Sequence, residues 1–105
     1  MNVCFEYLYR DAGNYKNWGD VIFSNPKELA IAGIMAEAQG ALFEGCYFLA
    51  KQTRVPDLHF DKYDPDLDHD WHEAYSFTAT AKQPTDSEGR TIEEFVECLR
   101  KNRPG

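Results

Sequence analysis

No stretch of the sequence reaches the ~18 consecutive apolar residues that a membrane-spanning helix needs. The N-terminus, MNVCFEYLYR, also lacks the basic-then-apolar order of a secretory signal, so a cytoplasmic protein with no membrane partner is expected. Cysteine is scarce. Cys4, Cys46 and Cys98 stand far apart, with no Cys-x-x-Cys pair to hold zinc or exchange disulfides, and are read as buried, reduced thiols. The glycines are scattered, which leaves no phosphate loop, no dinucleotide fingerprint and no nucleophile elbow. Repeats and low-complexity linkers are missing too. A dedicated enzyme is therefore not the favoured reading.

Positive charge is the next shortage. Eleven Lys and Arg face eighteen Asp and Glu, a net charge of -7. Residues 57–73 hold seven carboxylates, Asp57, Asp61, Asp64, Asp66, Asp68, Asp70 and Glu73, against the single Lys62, so this segment carries -6 and the rest of the chain only -1. All three histidines, His59, His69 and His72, lie in the same segment. Binding nucleic-acid phosphates needs clustered Lys and Arg, so direct contact with nucleic acid is disfavoured. Cations or a basic protein face are favoured instead.

What is present is enough for one core. A chain of 105 residues with 43% hydrophobic and 14% aromatic residues can pack a single domain over 1–105. Residues 2–10 alternate, with Val3, Phe5, Tyr7 and Tyr9 on one side, which predicts a half-buried strand. The turn formers Asp11-Ala12-Gly13-Asn14 and the run Val21-Ile22-Phe23 predict a hairpin, with Gly19 a candidate bulge. Ser24 or Asn25 would cap a helix opened by Pro26, with Leu29, Ile31, Ile34, Met35 and Ala38 as its inward stripe and Gln39-Gly40 as its end. Cys46 to Ala50 reads as a third strand and Trp71 to Ala81 as a fourth. Thr91-Ile92-Glu93-Glu94 has the spacing of a capping box and opens a last helix with Ile92, Phe95, Val96 and Leu99 inward. The fold class is thus α+β, in the order β-β-α-β-β-α: a four-stranded antiparallel sheet with two helices.

Tyr9-Arg10-Asp11 with Asn14-Tyr15-Lys16, then Phe48 to Gln52 running to Pro56-Asp57-Leu58, then Asp68-His69-Asp70-Trp71-His72-Glu73, resemble a family of small bacterial proteins to which no function is assigned. The resemblance implies a compact domain and carries no site residue with it.

Three functions compete for the acidic segment. Asp64-x-Asp66-x-Asp68 opens like a calcium loop, but His69 stands where glycine makes the sharp turn and Tyr75 where a bidentate Glu belongs. A better metal set is His69, His72 and Glu73, for a divalent transition metal in a binding protein or hydrolase. It requires a helical turn, since in an extended strand the two histidines point to opposite faces. The favoured expectation needs no cofactor. Asp61, Asp64, Asp66, Asp68 and Asp70 would form a binding surface for a basic, nucleic-acid-binding protein, with Tyr63 and Trp71 as anchors, as in an immunity protein or an anti-CRISPR-like DNA mimic. A third possibility is a homo-oligomeric module joined through an exposed strand edge. The cluster Tyr7, Tyr9, Arg10, Tyr15, Lys16 and Trp18 could stack nucleobases, but hairpin packing accounts for it better in so acidic a chain.

Overall fold

The computed structural model describes residues 1–61, 64, 66 and 68–103. Along the chain run β1 (Asn2–Arg10), β2 (Lys16–Phe23), α1 (Ile31–Ala41), β3 (Tyr47–Phe48), α2 (Ala50–Thr53), β4 (His72–Thr80) and α3 (Ile92–Lys101). The strands form one antiparallel sheet in the order β2-β1-β4-β3, which is the α+β architecture expected, with one short helix added. None of the described helices is long and apolar enough to cross a membrane.

The alternation in β1 does what its period requires: Val3, Phe5, Tyr7 and Tyr9 are all fully buried on one face. Asn14 takes φ +66 in the turn, and the Asp11 carboxylate accepts the Tyr15 N–H at 2.8 Å, closing the hairpin. Phe5 lies at the middle of the core, with ring centroids 4.8 Å from Phe77, 5.1 Å from Phe95 and 5.6 Å from Phe48. Phe95 stacks on Phe23 at 4.3 Å, which fixes α3 against the sheet. The capping box at Thr91 and Glu94 forms as the spacing predicts. A guanidinium holds the turn before α3 in place. Arg90 is buried, donates twice to Asp86 (3.0 and 2.9 Å), and donates to the carbonyls of Thr53 (2.7 Å) and Arg54 (3.0 Å) at the end of α2.

Five local expectations are corrected. Helix α1 begins at Ile31, not at Pro26, because the buried Asn25 side chain closes a loop on both the N–H and the C=O of Leu29 (3.0 and 3.1 Å) while Glu28 takes φ +49. Its buried positions are Ile34, Ala38 and Ala41, leaving Leu29 and Met35 exposed. The third strand shrinks to two residues. Thr53 Oγ1 donates back to Leu49 O, and Arg54 ends the turn in the left-handed conformation, so Ala50–Thr53 coils instead of extending. The bulge falls in β4, where Tyr75 is the extra residue between the pairs Glu6↔Ser76 and Tyr7↔Ala74. Gly19 stays in register opposite Tyr7, and its missing side chain admits Leu58, whose Cδ2 would lie 2.9 Å from a Cβ there. Finally, only Cys98 is buried; Cys4 and Cys46 are half-buried, and all three are free thiols.

Candidate functional site

The last inward residue of β1, Tyr9, pairs in register with the first residue of β4, His72, and both are buried. This juxtaposition gathers the histidines. His59 meets the Tyr9 ring edge-on at 4.5 Å, His69 lies at 5.3 Å and His72 at 5.2 Å, while the Tyr9 hydroxyl donates to the His69 carbonyl at 2.7 Å. Because β4 starts only at His72, the strand alternation that would have set His69 and His72 on opposite faces does not apply between them.

Proximity to one tyrosine is not convergence on one point. His72 Nε2 accepts the Leu58 N–H at 3.0 Å, and Nδ1 lies 3.3 Å from the Asp70 carbonyl, so the bonding suits a neutral ring with its proton on Nδ1. Burial, reinforced by nearby His59, holds its pKa below the usual histidine range, against the pull of the Asp70 carbonyl and the Asp57 carboxylate. His69 Nδ1 accepts the Trp71 N–H at 3.0 Å. Glu73 is held by Arg10, through Nε at 3.0 Å and Nη2 at 3.3 Å. Each member of the predicted metal set thus has its own separate partner. Among the described residues the ligand atoms that do converge belong to Asp57, His59 and Asp70, all within 4.8 Å of one another. His59 Nδ1 lies 2.7 Å from Asp57 and Nε2 lies 2.9 Å from Asp70.

The acidic segment divides its carboxylates between internal and outward duties. Asp68 fastens the segment to the β1–β2 turn: one oxygen accepts the Ala12 N–H and the other the Asp64 N–H, both at 2.9 Å. Those two backbone donors hold its carboxyl below the usual range. Asp64, half-buried, accepts the Asp66 N–H at 2.9 Å in the same turn. Asp57, Asp61, Asp66 and Asp70 are exposed, although Asp57 and Asp70 also flank His59. Tyr63 lies outside the described residues.

Trp71, the other predicted anchor, is half-buried beside a feature the sequence reading missed. Glu44 and Gly45 take φ +53 and +76 in succession, and Phe43 and Tyr47 exchange backbone hydrogen bonds at 2.9 Å on either side of them. Two adjacent left-handed residues are the mark of a tight hairpin turn. It brings Phe43 into a stack on Trp71 (5.1 Å, 14°) and Tyr47 to 6.2 Å. These three rings, with Arg10, Glu44, His69 and Glu73, line an open cleft of about 530 Å³. Phe43-Glu44-Gly45 was the available signal, since glycine after a polar residue between aromatics is a turn pattern. Of the aromatic and basic hairpin cluster, Tyr7 and Tyr9 face the core, whereas Tyr15 and Trp18 are exposed, so the residues do not form one stacking platform.

Comparison of the chain with protein-family models, curated proteins and solved structures finds no match.

Proposed function

We propose that the chain is a small interaction module that binds a basic protein surface, with a lysine or arginine of the partner seated in the Trp71 cleft and flanking cations on Asp57, Asp61, Asp66 and Asp70. The observation that supports this reading is the adjacency of an aromatic cleft, lined also by Glu44 and by the Arg10–Glu73 ion pair, to the exposed carboxylates Asp61 and Asp66 and to Asp57 and Asp70, which also meet His59. Cations are attracted to aromatic faces and to carboxylates alike, and an exposed acidic field speeds encounter with a basic partner. The class of function is that of an inhibitor or binder of a nucleic-acid-binding protein, by occupation of its basic surface. Asp64 and Asp68 serve this only indirectly, by shaping the turn.

Titration of arginine-rich and lysine-rich peptides, followed by isothermal titration calorimetry at low and high salt, tests the proposal. Trp71→Ala and the combined change of Asp57, Asp61, Asp66 and Asp70 to Asn should each weaken binding at least tenfold. Asp20→Asn, an exposed acid on β2, should leave it unchanged. Equal affinity in all variants, or no salt dependence, refutes the reading.

One observation favours a second reading, the convergence of Asp57, His59 and Asp70 as a divalent-metal site. The two carboxylates approach different nitrogens of the ring, and a single ion binds only one imidazole nitrogen, so one ion would replace only one of these two contacts. Elemental analysis of untagged protein decides: stoichiometric metal, abolished by His59→Gln, would replace the first reading.

A further inference from the structure

We infer that the open edge of β4 is a self-association surface, on which a second copy of this chain pairs antiparallel to β4 and extends the sheet. Strand β3 pairs only with His72 and Glu73, and the Ala74 N–H bonds to the Cys46 carbonyl at 2.8 Å. Beyond that point, among the described residues, no strand pairs with the outer edge of Tyr75 to Thr80. An unpaired edge is a template for another strand, and soluble proteins usually blunt one with lysine, proline or an inward charge. Those three are missing here: Ala74 to Ala81 reads Ala-Tyr-Ser-Phe-Thr-Ala-Thr-Ala, without a charged residue, and the bulge at Tyr75 leaves Ser76 to Thr80 in regular register.

A second feature lies beside it. Between the edge and α1 runs a groove of about 460 Å³ whose helix side presents Ala32, Met35, Ala36 and Gln39, all exposed and all uncharged. The one charge on α1, Glu37, lies on the far side, ion-paired with Arg100 at 2.9 Å. A surface helix ordinarily turns a charged face to water. α1 turns uncharged residues instead, next to a strand edge with the same property.

Charge selects the occupant. Two molecules of net charge -7 repel one another at long range, so an uncharged patch is where they meet at least electrostatic cost, and the α1–β4 groove is such a patch. A basic partner would gain nothing there, whereas a two-fold interface needs just this self-complementarity. With the axis at Phe77, residues 76–78 of the two copies pair, clear of the bulge at Tyr75. Phe5 lies opposite Phe77 within one sheet, so the inward aromatic row Phe5, Phe77 would continue into the Phe77 and Phe5 of the second copy, and Ser76 would face Thr78 on the outer side. The two α1 helices would meet through Ala32 and Ala36, whose small side chains permit close approach, and through the exposed apolar side chain of Met35.

Analytical ultracentrifugation across a concentration series tests the inference. Wild type should sediment as a dimer. Thr78→Lys and Met35→Glu, at exposed positions, should each weaken dimerisation at least tenfold and give monomers with unchanged circular dichroism, while Asp61→Lys in the acidic segment should leave the dimer intact. A wild-type chain that stays monomeric at all concentrations overturns the inference. So does a dimer that survives Thr78→Lys combined with Met35→Glu.

Discussion

Two buried polar clusters sit at opposite ends of the molecule's logic. Around Arg90 a full charge is buried, neutralised by Asp86, met by two carbonyls, and covered by Phe23 at 5.6 Å and Phe95 at 5.3 Å. Around His72 a titratable ring is buried without its charge, hydrogen-bonded in the form suited to a neutral imidazole. The first cluster joins three elements by electrostatics that do not change near neutral pH. The second joins β4 to the acidic segment through a group that can gain a proton, so only the second makes the fold responsive to mild acid. Burying polarity is tolerable in both because donors and acceptors are matched.

Breaking the first cluster should have the largest effect. Arg90→Ala leaves Asp86, whose side chain is only 1% exposed, without its counter-charge, and chemical denaturation should show a loss of about 3–5 kcal/mol. Replacing both residues with apolar ones of similar volume, Arg90→Met with Asp86→Leu, should recover much of that loss, because the orphaned charge is removed as well.

His72→Ala should cost less, about 2–3 kcal/mol, from the unsatisfied Leu58 N–H and the space left against Tyr7, Tyr9 and Phe48. His72→Gln, which can keep an acceptor near Leu58, should lie between it and wild type.

The smallest effect sharpens the contrast. The folded-state pKa of His72 is depressed relative to about 6.5 in the unfolded chain, so its contribution to stability is full above that value and shrinks as pH falls toward the folded-state value. At Asp86 burial pushes the pKa up, but the hydrogen bonds and charge of Arg90 outweigh it and the net direction is down, which places that cluster's pH dependence below the ordinary carboxylate range near 4. Thermal melts between neutral pH and about 5 should therefore show a decline in wild type that is reduced in His72→Gln and unaltered in relative slope by Asp86→Asn. A decline that persists undiminished in His72→Gln would assign it to another group.

Legibility in the sequence followed the range of the interactions. β1 could be read because its alternation is period-two over nine residues, and the start of α3 because a capping box involves only Thr91 and Glu94. The acidic segment was visible as charge. The start of α1 misled because Asn25 and Pro26 are good helix openers, yet the Asn25 side chain found Leu29 first. Asp86, four residues before Arg90, was a local hint, but the burial of the pair could not be read, since the carbonyls of Thr53 and Arg54 that complete it lie 37 and 36 residues away.

Composition and local pattern by themselves determined that this chain is an acidic α+β domain with its charge concentrated in residues 57–73, because charge and short-range periodicity are properties of the chain before it folds. Tertiary structure decided which carboxylates face solvent, that the three histidines meet at Tyr9 while their ring nitrogens serve different partners, that Phe43 and Tyr47 join Trp71, and that β4 keeps an uncharged edge. Each of those depends on strand register and turn geometry bringing distant residues within a few ångströms, and no local run of residues encodes a distance between two others far along the chain.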